Sequence, residues 1–368
     1  MDNKEHDLRS ILVVAVFAII LGGLFVLGQI LSPPAIMASE RRVPSRLPAL
    51  SFETVISGEY TGRFDSYIAD RFPFRDGFRS INSMMVFSML LQTDKDGLYM
   101  DEHGAGHFRA IDPDSVRLLS AKLSNIAGTL DGLNIYYSFI PDKSFYSSKY
   151  MPGFDPVLAE TLLTGNTGMS DYSFIDLVGT LSADSFYRTD LHWDQIKIES
   201  VLEALAATMG FDVDLSRYSE GYAGELSGVY AGQIALPIGT DSIRYLSCPT
   251  LSAMYYNEIT RELEPGPVYN WEKLSGLDSY DFFLSGARPL IILENSEPLL
   301  DRDLYLFRDS FSSSLAPLLA SAYSRVTLID LRFIDMRTLN SYVEFTPGSD
   351  VLFLYSTIVL NNSGILLA

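Results

Sequence analysis

A long uncharged apolar run near the N-terminus constrains this chain more than any other feature. Residues 11–31 (ILVVAVFAIILGGLFVLGQIL) contain no charged side chain, and their one strongly polar side chain is Gln29. An α-helix needs about 20 apolar residues to cross the hydrocarbon core of a bilayer, so this run is long enough to span it. The run is also longer than the usual apolar region of a secretory signal. We therefore predict a retained transmembrane anchor over residues 11–32.

The placement of the rest of the chain follows from the short segment before this anchor. Two basic residues precede the run and three follow it before residue 47, so the positive-inside count does not choose an orientation. Because residues 1–10 are short and polar, we expect them to be cytoplasmic and the long C-terminal part to be exported. The alternative, a signal peptide cleaved after Ala38, stays open at this point.

Charge and cysteine content exclude several classes of function. The chain has 27 Lys and Arg against 46 Asp and Glu, which gives a net charge of −19. An acidic chain repels phosphate backbones, so we expect no nucleic-acid partner. Cys248 is the single cysteine, which excludes an internal disulfide and a cysteine-rich metal site.

For the exported part, the sequence predicts a proline-rich linker followed by an α/β domain. Residues 33–48 contain four prolines and predict the linker, and we assign residues 49–368 to the domain. Its last third alternates between strand and helix patterns, which predicts parallel strands with helices on both faces of the sheet. The predicted strands are 289–294, 303–307, 325–331 and 351–355, and the predicted helices are 311–323 and 334–343. Residues 212–280 are rich in Gly, Ser and Tyr and predict an irregular β-rich insertion.

A serine follows one of these strands, at the position where α/β enzymes carry reactive groups. The strand ends at Phe307, Arg308 and Asp309 make a turn, and Ser310 precedes a helix. Ser310 could act as a nucleophile there, with helix N-terminal N–H groups facing an oxyanion. The alternative is that Ser310 or Asp309 only caps the helix.

A histidine with a nearby carboxylate supplies the base that such a serine needs. His192 lies in the segment YRTDLHWDQ, two residues after Asp190 and just before a helix that Asp194 can cap. Asp190 could hold the second ring nitrogen of His192, as the third member of a serine triad does. The alternative is that His192 and Trp193 are buried packing residues.

Two other motifs have simpler explanations. Asp101, Glu102, His103 and His107 could suggest a metal site, but the glycines between the histidines favour a solvated loop over a helix, so we expect no metal. We interpret the aromatic-rich segment 71–78 (RFPFRDGF) as packed core with arginine pairs at the surface.

Together these motifs resemble the DHHW proteins, a bacterial SGNH-hydrolase-like family related to the periplasmic alginate O-acetyltransferases. The segment YRTDLHWDQ is similar to the family signature, and the similarity extends over about residues 50–357. Five further segments appear in the family order: ADRFPFRDGF (69–78), KDGLYM (95–100), FIPDKSFY (139–146), YDFFLSGARPL (280–290) and LFRDSFSSSLAPLLA (306–320).

The resemblance implies a three-layer α/β/α SGNH-like domain with Ser310 as nucleophile, His192 as base and Asp190 as orienting carboxylate. It also implies an oxyanion site formed by Ser310 and the backbone N–H of Gly286, and it requires no cofactor. The implied activity is O-acetyl transfer to, or acetylester hydrolysis on, a cell-envelope or secreted polysaccharide. A membrane-bound O-acyltransferase is the partner that the related acetyltransferases imply.

Departures from the family pattern keep a second function open. Leu191 stands where the family often has His, and Arg308 stands where SGNH hydrolases generally have Gly. Ser285 and Ala287 replace the first and third residues of a Gly-Gly-Asn segment around Gly286. The alternative function is a non-catalytic envelope protein that binds glycan or scaffolds a polysaccharide-modification assembly.

Overall fold

The computed structural model describes residues 2–31, 33–147, 154–165 and 168–368. Its internal contacts divide the chain into two compact units. The first, here called the N-terminal unit, comprises Met1–Gln92 and Gly232–Pro237. The second, here called the sheet unit, comprises Thr93–Ala231 and Ile238–Ala368.

The N-terminal unit is helical. Its helices are α1 (Asp2–Ile30), α2 (Phe52–Ile56), α3 (Glu59–Arg71) and α4 (Arg75–Met84), and a π-helical turn over Met85–Met89 continues α4. Within α1, Arg9–Ile30 is long and apolar enough to cross a membrane, and almost none of it is buried. The predicted apolar helix is therefore present in the structure.

The remaining helices are α5 (Pro113–Ala127), α6 (Pro156–Thr164), α7 (Glu199–Met209), α8 (Val229–Ile234), α9 (Ser312–Leu319), α10 (Met336–Leu339) and α11 (Thr357–Leu360). Several of them begin where a side chain caps the first turn. Asp112 accepts hydrogen bonds from the backbone N–H groups of Asp114 and Ser115 at the start of α5. Asp194 caps a short 3₁₀ turn, and α7 begins only at Glu199.

The strands are β1 (Asp94–Lys95), β2 (Leu98–Asp101), β3 (Gly104–His107), β4 (Asn134–Ile140), β5 (Ser173–Phe174), β6 (Ser219–Leu226), β7 (Asp241–Ser247), β8 (Leu251–Asn257), β9 (Glu262–Gly266), β10 (Leu290–Asn295), β11 (Leu300–Arg308), β12 (Tyr323–Ile329) and β13 (Asp350–Ser356). Eight of them form the central sheet in the order β5-β4-β13-β11-β12-β10-β8-β9. The strands β1, β2 and β3 form a small antiparallel sheet, and β6 pairs with β7.

The central sheet is buried on both faces, which gives the fold its three layers. Leu304 and Leu306 of β11 belong to a core shared with α7 and α9, whereas Tyr305 and Phe307 belong to a core shared with α5, α6 and α11. Because alternate side chains of a strand point to opposite faces, each face is covered by its own helices. The predicted α/β class with helices on both faces is confirmed.

The sheet is mixed, so the prediction that the last third contains only parallel strands is wrong. β4, β13, β11 and β12 are parallel, but β10 pairs antiparallel with both β12 and β8. Residues 296–299 alone connect β10 to β11, and a parallel crossover needs a dozen or more residues. The chain therefore reverses at this connection.

Two predicted boundaries also differ from the structure. Helices α9 and α10 are shorter than their predicted ranges, because Tyr323 already begins β12 and the chain after Leu339 forms turns. Residues 212–280 are rich in strands, as predicted. Two of these strands, β8 and β9, extend the central sheet and do not form a separate substructure.

Candidate active site

Ser310 lies at the carboxyl end of β11, in the turn that leads to α9. The preceding residue, Asp309, is buried and fixes this turn. One of its carboxylate oxygens accepts the backbone N–H of Phe311 at 3.1 Å, and the other accepts the N–H of Ser356 at 2.7 Å. Asp309 therefore ties the serine turn to the end of the neighbouring strand β13.

The structure brings together the three residues that the sequence predicted as a triad. His192 Nε2 lies 2.9 Å from Ser310 Oγ, and His192 Nδ1 lies 2.7 Å from Asp190 Oδ1. Asp190 is completely buried and His192 nearly so, whereas Ser310 is half-buried. The hydrogen-bonded order carboxylate, imidazole, hydroxyl is the arrangement that activates a serine nucleophile.

Both oxygens of Asp190 are held by further hydrogen bonds. Oδ1 also accepts the backbone N–H of His192 at 3.1 Å, and Oδ2 accepts the N–H of Val229 at 2.8 Å. The Val229 loop approaches so closely that a Cβ on Gly228 would lie 2.2 Å from the carbonyl oxygen of Thr189. Glycine at position 228 is therefore required for the loop to reach the carboxylate.

Two aromatic rings fix the orientation of the His192 imidazole. The Tyr280 ring stacks on it with a centroid distance of 3.8 Å and an interplanar angle of 8°, and the Phe311 ring contacts it at 4.8 Å. The Tyr280 hydroxyl donates to Ser314 Oγ at 2.9 Å, and burial raises its pKa well above the ordinary value. The family segment that contains Tyr280 was identified from the sequence, but the role of this tyrosine was not.

Asp241 anchors the residues that precede Asp190. Its Oδ1 accepts the backbone N–H of Arg188 at 2.7 Å. Its Oδ2 accepts the N–H and the hydroxyl of Thr189 at 2.8 and 2.6 Å. Sequence reasoning missed this residue, which lies at the start of β7 and reaches the site only through the tertiary fold.

Lys143 is a second anchor of the same segment. Its Nζ donates to the carbonyl oxygens of Ala105, Tyr187 and Arg188 at 2.8, 2.7 and 3.3 Å. Burial lowers the pKa of Lys143 to about 8. Three acceptors match the three protons of an ammonium group, so the lysine joins β3 to the loop that carries Asp190 and His192.

The two predicted oxyanion donors differ in their present hydrogen bonds. Among the described residues, no acceptor takes the backbone N–H of Ser310. The N–H of Gly286, in contrast, donates to the carbonyl oxygen of Phe283 at 3.2 Å. The role of Ser310 as an oxyanion donor stays a prediction. The role of Gly286 also stays a prediction, and it would require the hydrogen bond between Gly286 and Phe283 to break.

Arg308 places a buried cation beside the serine turn. Its Nη1 donates to the carbonyl oxygen of Asp309 at 3.3 Å and to Ser313 Oγ at 3.2 Å. Its Nε and Nη2 are buried and have no hydrogen-bond partner among the described residues. Burial lowers the pKa of this guanidinium, although it remains charged at neutral pH.

The histidines of the alternative metal motif have other partners. His103 Nδ1 lies 2.8 Å from Asp184 Oδ1, and His107 Nδ1 lies 2.8 Å from the carbonyl oxygen of Phe108. Over the part of the chain that the structure describes, no cluster of three or more His, Cys, Asp or Glu side chains is placed to hold a metal ion.

Comparisons with known proteins identify the fold. No protein-family model matches the sequence, and no curated protein matches it. Among solved structures, a DHHW family protein from Eubacterium siraeum aligns with a TM-score of 0.55 and 15% identity, covering 75% of this chain and 97% of its own. PatB1 from Bacillus cereus aligns with a TM-score of 0.56 and 15% identity, and the alignment covers 74% of this chain and 100% of the PatB1 chain. The structure of PatB1 with a sulfonyl adduct aligns with a TM-score of 0.55 and 16% identity. This alignment covers 72% of this chain and 97% of the PatB1 chain.

These similarities bear out, at the level of the fold, the resemblance that the motifs predicted. The aligned proteins are covered almost completely, so the shared region is a whole domain. The chain therefore shares the mixed α/β fold of the DHHW protein and of PatB1.

Proposed function

We propose that this protein catalyses serine-dependent acyl transfer, as an O-acetyltransferase or acetylesterase, outside the cytoplasm. The observation that carries the proposal is the continuous chain of hydrogen bonds from Asp190 through His192 to Ser310. A buried carboxylate, an oriented imidazole and a half-exposed hydroxyl at the carboxyl end of a parallel strand together make a competent nucleophile.

The first half of the reaction forms an acyl-serine. The hydroxyl of Ser310 donates its proton to His192 Nε2 while Oγ attacks the acyl carbon of the donor ester. Asp190 accepts the hydrogen bond from Nδ1–H and stabilises the imidazolium that forms. The N–H of Ser310 faces the developing oxyanion, and the buried charge of Arg308 favours negative charge in this turn. As the tetrahedral intermediate collapses, the bond to the leaving oxygen breaks and His192 returns the proton to that oxygen.

The second half of the reaction transfers the acyl group to an acceptor hydroxyl. His192 takes a proton from a sugar hydroxyl or from water, and the resulting oxygen nucleophile attacks the acyl-serine carbon. The bond between the acyl carbon and Ser310 Oγ then breaks, His192 returns the proton to Oγ, and the acylated acceptor, or the free acid when water attacks, is released. We propose a cell-envelope or secreted polysaccharide as the acceptor because of the motif resemblance to the acetyltransferase-related family, which also makes a membrane-bound O-acyltransferase the proposed partner.

We place the protein in the cell membrane, with α1 as a single span and the sheet unit on the extracytoplasmic side. The span is supported by the length and apolar composition of α1. The extracytoplasmic placement is supported by the motif resemblance to the family related to the periplasmic alginate O-acetyltransferases.

A sulfonyl fluoride tests the nucleophile without requiring the natural donor. The full-length protein, purified in detergent, is treated with phenylmethylsulfonyl fluoride and analysed by intact-protein and peptide mass spectrometry. We expect one sulfonyl group on Ser310 in the native protein, none in Ser310→Ala and slow labelling in His192→Ala. Ser312→Ala is the matched control, since Ser312 begins α9 two residues after Ser310 and its buried Oγ has no hydrogen-bond partner among the described residues, and it should label like the native protein.

Hydrolysis of a chromogenic acetyl ester then tests the acyl step. We expect activity that Ser310→Ala and His192→Ala abolish and that Asp190→Asn strongly reduces, because an amide cannot stabilise the imidazolium. A folded native protein that neither labels at Ser310 nor hydrolyses the ester would favour the non-catalytic glycan-binding function.

A further inference from the structure

Helix α4 of the N-terminal unit is amphipathic, but its polar side faces the protein and its apolar side faces outward. The segment 71–78 was expected to be packed core with surface arginines, and the structure shows that this expectation is wrong for Phe74 and Phe78. Phe74 is 77% exposed and Phe78 49% exposed. The arginines in and beside this segment, Arg75 and Arg79, are instead largely buried.

The exposed apolar residues share one face of the helix. Spacing at i, i+4, i+7 and i+11 places side chains in a single stripe. Four exposed residues have this spacing and define what we call the α4 face: Phe74, Phe78, Ile81 and Met85. Exposed apolar side chains continue beyond it: Met84, Met89, Leu90 and Leu91. An apolar patch of this extent marks an interaction surface.

Specific contacts hold the polar side of α4 inward. Arg79 Nη2 donates to the carbonyl oxygens of Gly232 and Gln233 at 2.9 and 3.1 Å. Ser80 Oγ donates to the carbonyl oxygen of Ala235 at 2.6 Å, and Ser83 is completely buried. These bonds fix the rotation of the helix about its axis, so the α4 face cannot turn inward without breaking them.

The end of α3 and the turn that leads from it into α4 lie against the last turns of the apolar helix α1. Gly28 is buried, and a Cβ at this position would lie 2.7 Å from the carbonyl oxygen of Arg71. The hydroxyl of Tyr67 donates to Gln29 Oε1 at 3.4 Å. Gly28 is three residues, or about 4–5 Å along the helix, before the end of the apolar run. If α1 spans the bilayer, residues 71–74 therefore lie near the boundary between hydrocarbon and headgroups.

We infer that the α4 face inserts into the outer surface of the lipid bilayer, next to the transmembrane helix. This inference rests on the proposed membrane anchor. A helix with one polar and one Phe-, Ile- and Met-rich face is the form that lies in a membrane interface with its apolar side among the acyl chains. The bilayer is the occupant that continuity with α1 indicates, and two contacts with the membrane would restrain the tilt of the N-terminal unit.

Spin-label accessibility in the full-length protein tests the inference. Cys248→Ser provides a cysteine-free background, in which Phe78→Cys and Ile81→Cys carry a nitroxide label. Phe17→Cys in α1 is the lipid reference. Ile259→Cys is the water reference, because Ile259 is an apolar residue that is 92% exposed in the sheet unit. The proteins are reconstituted in vesicles of phosphatidylcholine and phosphatidylglycerol, and label relaxation by oxygen and by a water-soluble nickel chelate is measured.

We expect the ratio of oxygen to nickel accessibility at positions 78 and 81 to be several-fold higher than at 259 and close to that at 17. A water-like ratio at 78 and 81 with a lipid-like ratio at 17 would overturn the inference and leave the anchor intact. Water-like ratios at all four positions would overturn the anchor as well. Labels at 78 and 81 that are immobilised and shielded from both reagents would show that protein, a second copy or a membrane partner, covers the α4 face, which also overturns the inference.

Discussion

The phenol ring of Tyr280 lies parallel to the imidazole of His192, with 3.8 Å between the ring centroids. A catalytic imidazole that exchanges protons with both a serine and a substrate must keep one orientation through the reaction. Phe311 supports the ring from a second direction at 4.8 Å. The stacked tyrosine is therefore a positioning residue for the proposed base.

Substitution of Tyr280 should separate stacking from hydrogen bonding. Tyr280→Phe keeps the ring and loses only the hydrogen bonds that the hydroxyl donates to Ser314 and to the carbonyl oxygen of Phe311, so we expect ester hydrolysis within about threefold of the native rate. Tyr280→Leu removes an aromatic contact worth about 0.5–1.5 kcal/mol, so we expect kcat/KM to fall about tenfold, mainly through kcat. Equal losses in both variants would contradict a role for stacking. Circular dichroism at 222 nm checks that each variant is folded.

The three residues of the proposed triad were predictable because each carries a local signal. Ser310 follows a strand and precedes a helix, and the Asp190–His192 pair precedes a predicted helix, so each position could be identified from a short segment. Tyr280, Asp241 and Lys143 carry no such signal. They are distant in sequence from Asp190 and His192, and only the tertiary fold brings them to the site.

Strand direction was less predictable than strand position. The predicted strand 351–355, for example, agrees with the observed β13 (Asp350–Ser356) to within one residue at each end. Hydrophobic patterns do not encode direction, however, and the short connection between β10 and β11 was the available signal for reversal. The outward face of α4 was missed for a related reason: periodicity identifies an apolar face but not whether protein or lipid covers it.

Asp241→Asn should lower activity although Asp241 lies outside the triad. Its carboxylate accepts hydrogen bonds from Arg188 and Thr189, and an amide group would turn NH₂ protons toward at least one of these donors. Such charge-assisted bonds are worth about 1.5–3 kcal/mol each. We expect a lower free energy of unfolding and a kcat reduced at least about tenfold, with KM changed less. Asp301→Asn, at an exposed position, is the control. Unchanged kcat in Asp241→Asn would exclude the positioning role.

Lys143→Met should destabilise the protein in a pH-dependent manner. The methionine leaves the carbonyl oxygens of Ala105 and Tyr187 without the ammonium donor, at a cost of about 1–3 kcal/mol for each acceptor not rescued by water, whereas the carbonyl oxygen of Arg188 keeps the N–H of Ala105. Because the pKa of Lys143 falls to about 8 in the folded state, the unfolded chain binds more protons between pH 8 and about 10.4. The native protein should therefore gain stability relative to Lys143→Met as the pH rises through this window. Urea unfolding at pH 7, 8.5 and 10 measures this, and a constant difference would contradict it.

Asp70 should make the N-terminal unit sensitive to acid. Its buried carboxylate accepts hydrogen bonds from both terminal nitrogens of Arg42, at 2.5 and 2.7 Å, which hold the pKa of Asp70 far below its ordinary value. As the pH falls below about 4, the unfolded chain binds a proton that the folded state resists, so stabilisation present at pH 7 is progressively lost. Thermal unfolding of the full-length protein in detergent is followed by circular dichroism. At pH 7 the unfolding temperature of Asp70→Asn should be well below that of the native protein. The two unfolding temperatures should converge as the pH is lowered toward 3. Asp114→Asn removes an exposed ion pair with Arg117 and should have little effect at either pH. A pH-independent difference for Asp70→Asn would show that packing, and not the ion pair, supports this part of the unit.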